Sequence, residues 1–134
     1  MTPLLVARII QRDTFADGIA CDIALRDGSD PATAESAIRA LIQQYLDGLY
    51  HCDTALLAQV FHPRALYATA VGPQALFLSM EEYLPIVAQR DPPARTQAPR
   101  RERILSIDVC PPATALVKLE CSFFQKDYVD FLTL

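Results

Sequence analysis

The side chains able to do chemistry in this chain are few and dispersed. Asp130 stands in the run Tyr128-Val129-Asp130-Phe131-Leu132, where strand alternation puts it on one face with Tyr128 and Leu132. A carboxylate on an apolar face is costly unless it is paired or lines a cavity, which makes Asp130 the first candidate acid, base or ligand contact. The histidines are His51 and His62. An imidazole titrates near neutral pH, so His62, just before Pro63, is a second candidate; its simpler role is to complement the negative end of a helix. His51 lies in a turn and reads as exposed. Tyr45 falls inside an apolar stripe, as a core tyrosine with a satisfied hydroxyl or as a third candidate at a pocket. Arg90 closes a helical segment, where it can complement the dipole, meet Asp130 or receive an acidic ligand.

Several chemistries are excluded. Cys52 and Cys121 have no base near them in sequence and do not read as nucleophiles. The four cysteines (Cys21, Cys52, Cys110, Cys121) form no CxxC pair, so neither they nor the histidines show zinc-ligand spacing. There is no glycine-rich phosphate loop and no serine-centred elbow. No metal and no cofactor are expected.

The elements that position these residues begin with residues 33–63. Ile38, Leu41, Ile42, Tyr45, Leu46 and Leu49 follow the spacing of one face of a long amphipathic helix. Pro31, after Asp30, suits its first position. A shorter helix follows, capped by Asp53, with Leu56, Leu57, Val60 and Phe61 inward and Pro63 at its end. Residues 65–71 read as a strand, Gly72-Pro73-Gln74 as a turn, and residues 75–78 as the returning strand. Ser79 and Glu82 form a capping box for a third helix to about Arg90, which Pro85 should kink or shorten. After a loop over 91–99, Leu105, Ile107 and Val109 alternate. Pro111-Pro112 turns the chain, and Ala113, Ala115, Val117, Leu119, Cys121 and Phe123 share a strand face. Tyr128, Asp130, Leu132 and Leu134 share the last one. Helices first and antiparallel strands last describe an α+β layout with helices on one sheet face.

The 134 residues suit a single domain, 1–134, that buries roughly two-thirds of its unfolded surface. Residues 1–30 form an N-terminal arm, with an apolar patch at 19–25 and a turn cluster at 26–31, and 31–134 form the core. Hydrophobic content of 51% excludes disorder, and the apolar runs are too short to span a bilayer. A net charge of −4 offers no footprint for nucleic acid or an anionic membrane. The arginines of residues 95–103 read as a solvated loop. The start of the chain lacks a secretory pattern, so the thiols are expected reduced, in the cytoplasm.

Residues 44–72, QYLDGLYHCDTALLAQVFHPRALYATAVG, resemble the NTF2-like superfamily. Within it they resemble the branch labelled putative lumazine-binding, related to the SnoaL-like proteins. The shared features are Tyr45, Asp53, Phe61-His62-Pro63, the Ser79-capped helix ending in Arg90, and Tyr128 to Leu132. Each is weak alone; their order and spacing over 35–134 carry the resemblance. It implies a cone: a curved antiparallel sheet wrapped on the long helix, with two shorter helices, a pocket at the mouth and a homodimer formed through the outer sheet surface. The family continues past this chain's last strand into one more. Residues 4–15, LLVARIIQRDTF, look like that strand placed at the front, filling the vacant edge from the same or a partner subunit.

Ketosteroid isomerase, on the same fold, pairs an Asp base with an oxyanion hole of Tyr and protonated Asp. By that likeness Tyr45 and Asp130 take the hole positions and the base position is Thr69, whose hydroxyl cannot abstract a proton from carbon near neutral pH. The expected function is binding of a small hydrophobic or aromatic molecule. Tyr45, Phe61, His62, Tyr67 and Thr69 form one part of the expected pocket, and Tyr83, Arg90, Tyr128 and Asp130 the other. Two rivals stand beside it: a cofactor-independent isomerase, dehydratase or cyclase using Asp130 or His62, and a structural or interaction module with a filled cone.

Overall fold

The computed structural model describes residues 6–11, 31–69, 75–110, 114–123 and 126–134. The expected turns at 72–74 and 111–112, the patch at 19–25, the cluster at 26–30 and the cap at Asp30 lie outside these residues. Ten described elements follow in order. Strand β1 (Val6–Gln11) precedes helices α1 (Pro31–His51) and α2 (Thr54–Val60). Strands β2 (Leu66–Thr69) and β3 (Leu76–Ser79) lead into α3 (Met80–Ala88) and a 3₁₀ turn (Pro93–Thr96). Strands β4 (Arg101–Cys110), β5 (Thr114–Phe123) and β6 (Lys126–Thr133) close the chain.

All six residues of the expected α1 stripe are buried, each contributing roughly 1.5–3 kcal/mol of apolar transfer. The helix closes with Cys52 at a φ of 49°. The Asp53 N–H donates to the Gly48 carbonyl at 2.9 Å and the Cys52 N–H to the Leu49 carbonyl at 3.3 Å, the paired bonds of a left-handed helix stop. Gly48 is required by packing: a Cβ there would lie 2.6 Å from Leu57 Cδ2, so its absence lets α2 settle directly on α1. Asp53 caps α2 by accepting from the Leu56 N–H at 3.0 Å.

At α3, the Ser79 N–H donates to Glu82 Oε2 at 2.8 Å and the Glu82 N–H to Ser79 Oγ at 3.3 Å, the reciprocal capping box. The helix passes through Pro85 and stops at Ala88, shorter than a helix to Arg90, as Pro85 leads one to expect.

The main sheet runs β1-β6-β5-β4, and β2 pairs with β3 in a separate hairpin. Every pairing is antiparallel. Strand β1 occupies the outer edge of β6, in register from Val6 opposite Thr133 to Gln11 opposite Tyr128, and it also lies alongside β2. Along β5, Ala115, Val117, Leu119, Cys121 and Phe123 are buried, the alternation of a strand with one face on the core.

Strand β4 departs from its expected pattern. Its register against β5 slips between Ile104 and Ser106, leaving Leu105 as the extra residue of a bulge. Leu105 is exposed, and Ile104 joins Ile107 and Val109 against the core. Alternation in sequence assumes one residue per step, and a bulge at an edge strand breaks that count. The start of β4 is tied to α1 by Arg100, which pairs with Asp47 at 2.8 Å and lies 4.7 Å over the Tyr50 ring.

Candidate functional site

Helix α1, the β2 strand, α3 and the inner face of the sheet meet around a cavity of about 380 Å³, counting its open mouth. Helix α1 contributes Tyr45 and Leu49, one turn apart on the buried stripe. Tyr67 comes from β2 and Tyr83 from α3, with Arg90 just beyond the helix end. The sheet supplies Cys121 and Phe123 from β5 and Tyr128 and Asp130 from β6. Cys121 and Tyr128 face each other in the register of those strands.

Aromatic packing shapes the wall. The rings of Tyr67 and Tyr83 stack at 4.5 Å and 15°. Phe61 meets Tyr45 edge-on at 5.7 Å and Tyr83 at 6.4 Å, so it buttresses two cavity tyrosines from behind. Burial raises the pKa of Tyr67, Tyr83 and Tyr128, and the positive charge of Arg90 partly offsets the rise in all three. The guanidinium lies 5.8 Å from the Tyr83 ring centre.

Asp130 is only 1% exposed. The Tyr45 hydroxyl donates to its Oδ2 at 2.7 Å, and the Cys121 thiol donates to the same oxygen at 3.6 Å. The other oxygen, Oδ1, is buried and accepts nothing among the described residues. Burial pushes the Asp130 carboxyl up to about 6, against the opposing pull of the Tyr45 and Cys121 hydrogen bonds. Because Oδ2 already accepts two bonds, the proton of the neutral acid belongs on Oδ1. Neutral Asp130 is therefore a donor through Oδ1, and ionised Asp130 an acceptor. Burial and the adjacent carboxylate both raise the Tyr45 hydroxyl far above its usual value, and the same causes raise the Cys121 thiol.

This arrangement differs from an oxyanion hole. A phenol has one proton to donate, and Tyr45 commits it to Asp130. A developing oxyanion would find only the Oδ1 proton, not two converging donors.

Six of the nine expected site residues line the cavity: Tyr45, Tyr67, Tyr83, Arg90, Tyr128 and Asp130. The other three stand outside the lining. Phe61 is buried behind the wall, in the extended cap conformation that ends α2. Thr69 ends β2 half-buried and outside the lining. His62 also stands outside it; its Nδ1 accepts the Arg64 N–H at 3.0 Å, a local turn contact at the end of α2. His51 is exposed and packs edge-on against Tyr50.

Leu49, Cys121 and Phe123 also line the cavity, although their spacing marks them only as core. Their signal was present in the periodicity, since Leu49 is the next turn after Tyr45 and the β5 residues share the core face. What periodicity lacks is any distinction between core and cavity. Among the described residues, no cluster of three or more His, Cys, Asp or Glu side chains could hold a metal, and no described helix is long and apolar enough to cross a membrane.

Comparison with known proteins agrees with this architecture. The family described as "Putative lumazine-binding" matches residues 33–134. An NTF2-like protein of unknown function from Silicibacter pomeroyi superposes with a TM-score of 0.68 at 19% identity, over 78% of this chain and 85% of that one. An NTF2-like protein of unknown function from Shewanella baltica gives 0.68 at 15% identity, over 80% and 85%. At such identities the likeness speaks for the fold alone. No curated protein matches the chain.

Proposed function

Because the chain belongs to the family described as "Putative lumazine-binding", with an NTF2-like fold, we propose that it binds a small, planar, partly apolar molecule in this cavity. One observation carries the reading: a buried carboxyl with one oxygen lacking a partner among the described residues, set in a pocket walled by tyrosines. A buried polar atom left without a partner costs about 1–3 kcal/mol, and a ligand group hydrogen-bonded to Oδ1 would recover it. The stacked Tyr67–Tyr83 pair offers a flat aromatic edge beside it. A pteridine, as in the family description, is one member of this ligand class.

Asp130 favours a second reading, a cofactor-independent enzyme. A carboxyl held at about 6 on a residue that lines the cavity suits general acid/base work. Against isomerase chemistry stand Thr69 at the expected base position and the commitment of the Tyr45 proton. As part of this proposal, the family likeness supports a homodimer joined through the outer sheet surface and SnoaL-like descent, and the acidic net charge and dispersed thiols support a cytoplasmic protein without a nucleic-acid or membrane partner.

The test is a thermal-shift screen of planar aromatic compounds, lumazine included, on the wild type and Asp130→Asn. A compound at 100 times its Kd should stabilise the wild type by about 2.7 kcal/mol, or about 10 °C for a domain of this size. A binder shifts less in Asp130→Asn. An enzyme would also lose turnover of any compound it converts. No shift from any planar compound would refute the binding reading.

A further inference from the structure

Resting on that small-molecule reading, we propose that the ligand is an organic acid: an aromatic body inside the cavity, with a carboxylate received by the Arg90 guanidinium at the mouth. The chain leaves α3 through Gln89, and the Arg90 N–H donates to the Val87 carbonyl at 3.1 Å. A residue at this position could complement the helix dipole from many directions. Arg90 instead lines the cavity, half-buried, with its central guanidinium carbon 5.8 Å from the Tyr83 ring centre and a hydrogen bond from the guanidinium to the Tyr83 hydroxyl, which leaves its other N–H donors for a ligand. Its charge acts on tyrosines of three separate elements: Tyr67 of β2, Tyr83 of α3 and Tyr128 of β6. The positive charge is therefore placed over the aromatic ring cluster.

This placement suits one ligand chemistry. The planar guanidinium presents its N–H donors in a fork that matches the two oxygens of a carboxylate. Partial burial lowers the local dielectric and strengthens such a pair over its worth in open water. Arg90 is the one cation among the described lining residues, which favours a singly charged carboxylate over a doubly charged phosphate ester. A planar ring between Arg90 and Asp130 would then be fixed at both ends, by charge at the mouth and by Oδ1 within.

Titration calorimetry with 2-naphthoate and its uncharged counterpart 2-naphthamide tests the inference. The wild type should bind the acid about 10-fold tighter than the amide, the ratio expected for one charge-assisted pair. In Arg90→Gln the acid-to-amide ratio, read within that protein, should fall to about 1. Arg90→Lys, which keeps the charge and loses the fork, should keep part of the preference. Amide binding with no preference for the acid in the wild type would overturn the inference and leave the small-molecule reading standing. So would an unchanged preference in Arg90→Gln. Failure of both probes to bind the wild type at millimolar concentration would overturn the reading and the inference together.

Discussion

Asp130→Asn should change how stability depends on pH more than it changes stability at any one pH. The native carboxyl sits at about 6, against an ordinary 3.8, so folding favours its protonated form. A group raised in this way contributes stability that is fully present below the lower value and is lost as pH rises through the higher one. At ~1.4 kcal/mol per pH step, the total is about 3 kcal/mol, of which over 2 falls between about pH 4 and 7.5. Asparagine retains an oxygen for the Tyr45 hydroxyl and does not ionise, so the variant lacks this loss. The stability of Asp130→Asn minus that of the wild type should therefore rise by about 2 kcal/mol from pH 4 to 7.5. The nearby Tyr45, Tyr67, Tyr83, Tyr128 and Cys121 are all pushed upward by burial, so none of them titrates in this interval. Groups elsewhere cancel in the difference. Urea unfolding followed by far-UV circular dichroism across the pH range measures it. A difference constant within about 0.5 kcal/mol would show that the Asp130 carboxyl is not raised by burial, and the reasoning from its unpartnered oxygen would fail with it.

Two further substitutions probe neighbouring parts of the structure. Tyr45→Phe removes the larger of the hydrogen bonds that hold the Asp130 carboxyl down, so its titration, followed by carboxyl carbon NMR, should move above about 6; a downward move would refute the assigned bond. The same change should cost about 1–3 kcal/mol at neutral pH, from a buried acceptor losing its donor. Gly48→Ala should destabilise by about 1–3 kcal/mol through overpacking, although alanine is the better helix former by ~1 kcal/mol, because the new Cβ would meet the fully buried Leu57 at 2.6 Å. In a Leu57→Ala background that penalty should vanish, and a stabilised Gly48→Ala protein would refute the close-approach argument.

Elements whose signals are local were legible in the order of residues alone. The α1 stripe, the Asp53 cap, the Ser79–Glu82 box and the β5 alternation depend on residues within a turn or two of each other, and each formed as its spacing required. The family likeness followed from the order of these same signals. Other features belong to the tertiary structure because they depend on counts and directions that no local period contains. The bulge at Leu105 exists only as a mismatch with β5. The seat of β1 on β6 depends on an edge supplied by the far end of the chain. His62 and Asp130 both read as candidate acids and bases in the sequence; the fold turned one toward a local backbone contact and the other into the cavity. Tyr45 and Asp130 are 85 residues apart, and helical or strand periodicity says only that each faces inward. Which carboxyl oxygen is satisfied and which is left without a partner among the described residues is set by the packing of α1 against β5 and β6. Hydrogen-bond direction is a property of atoms brought together in space.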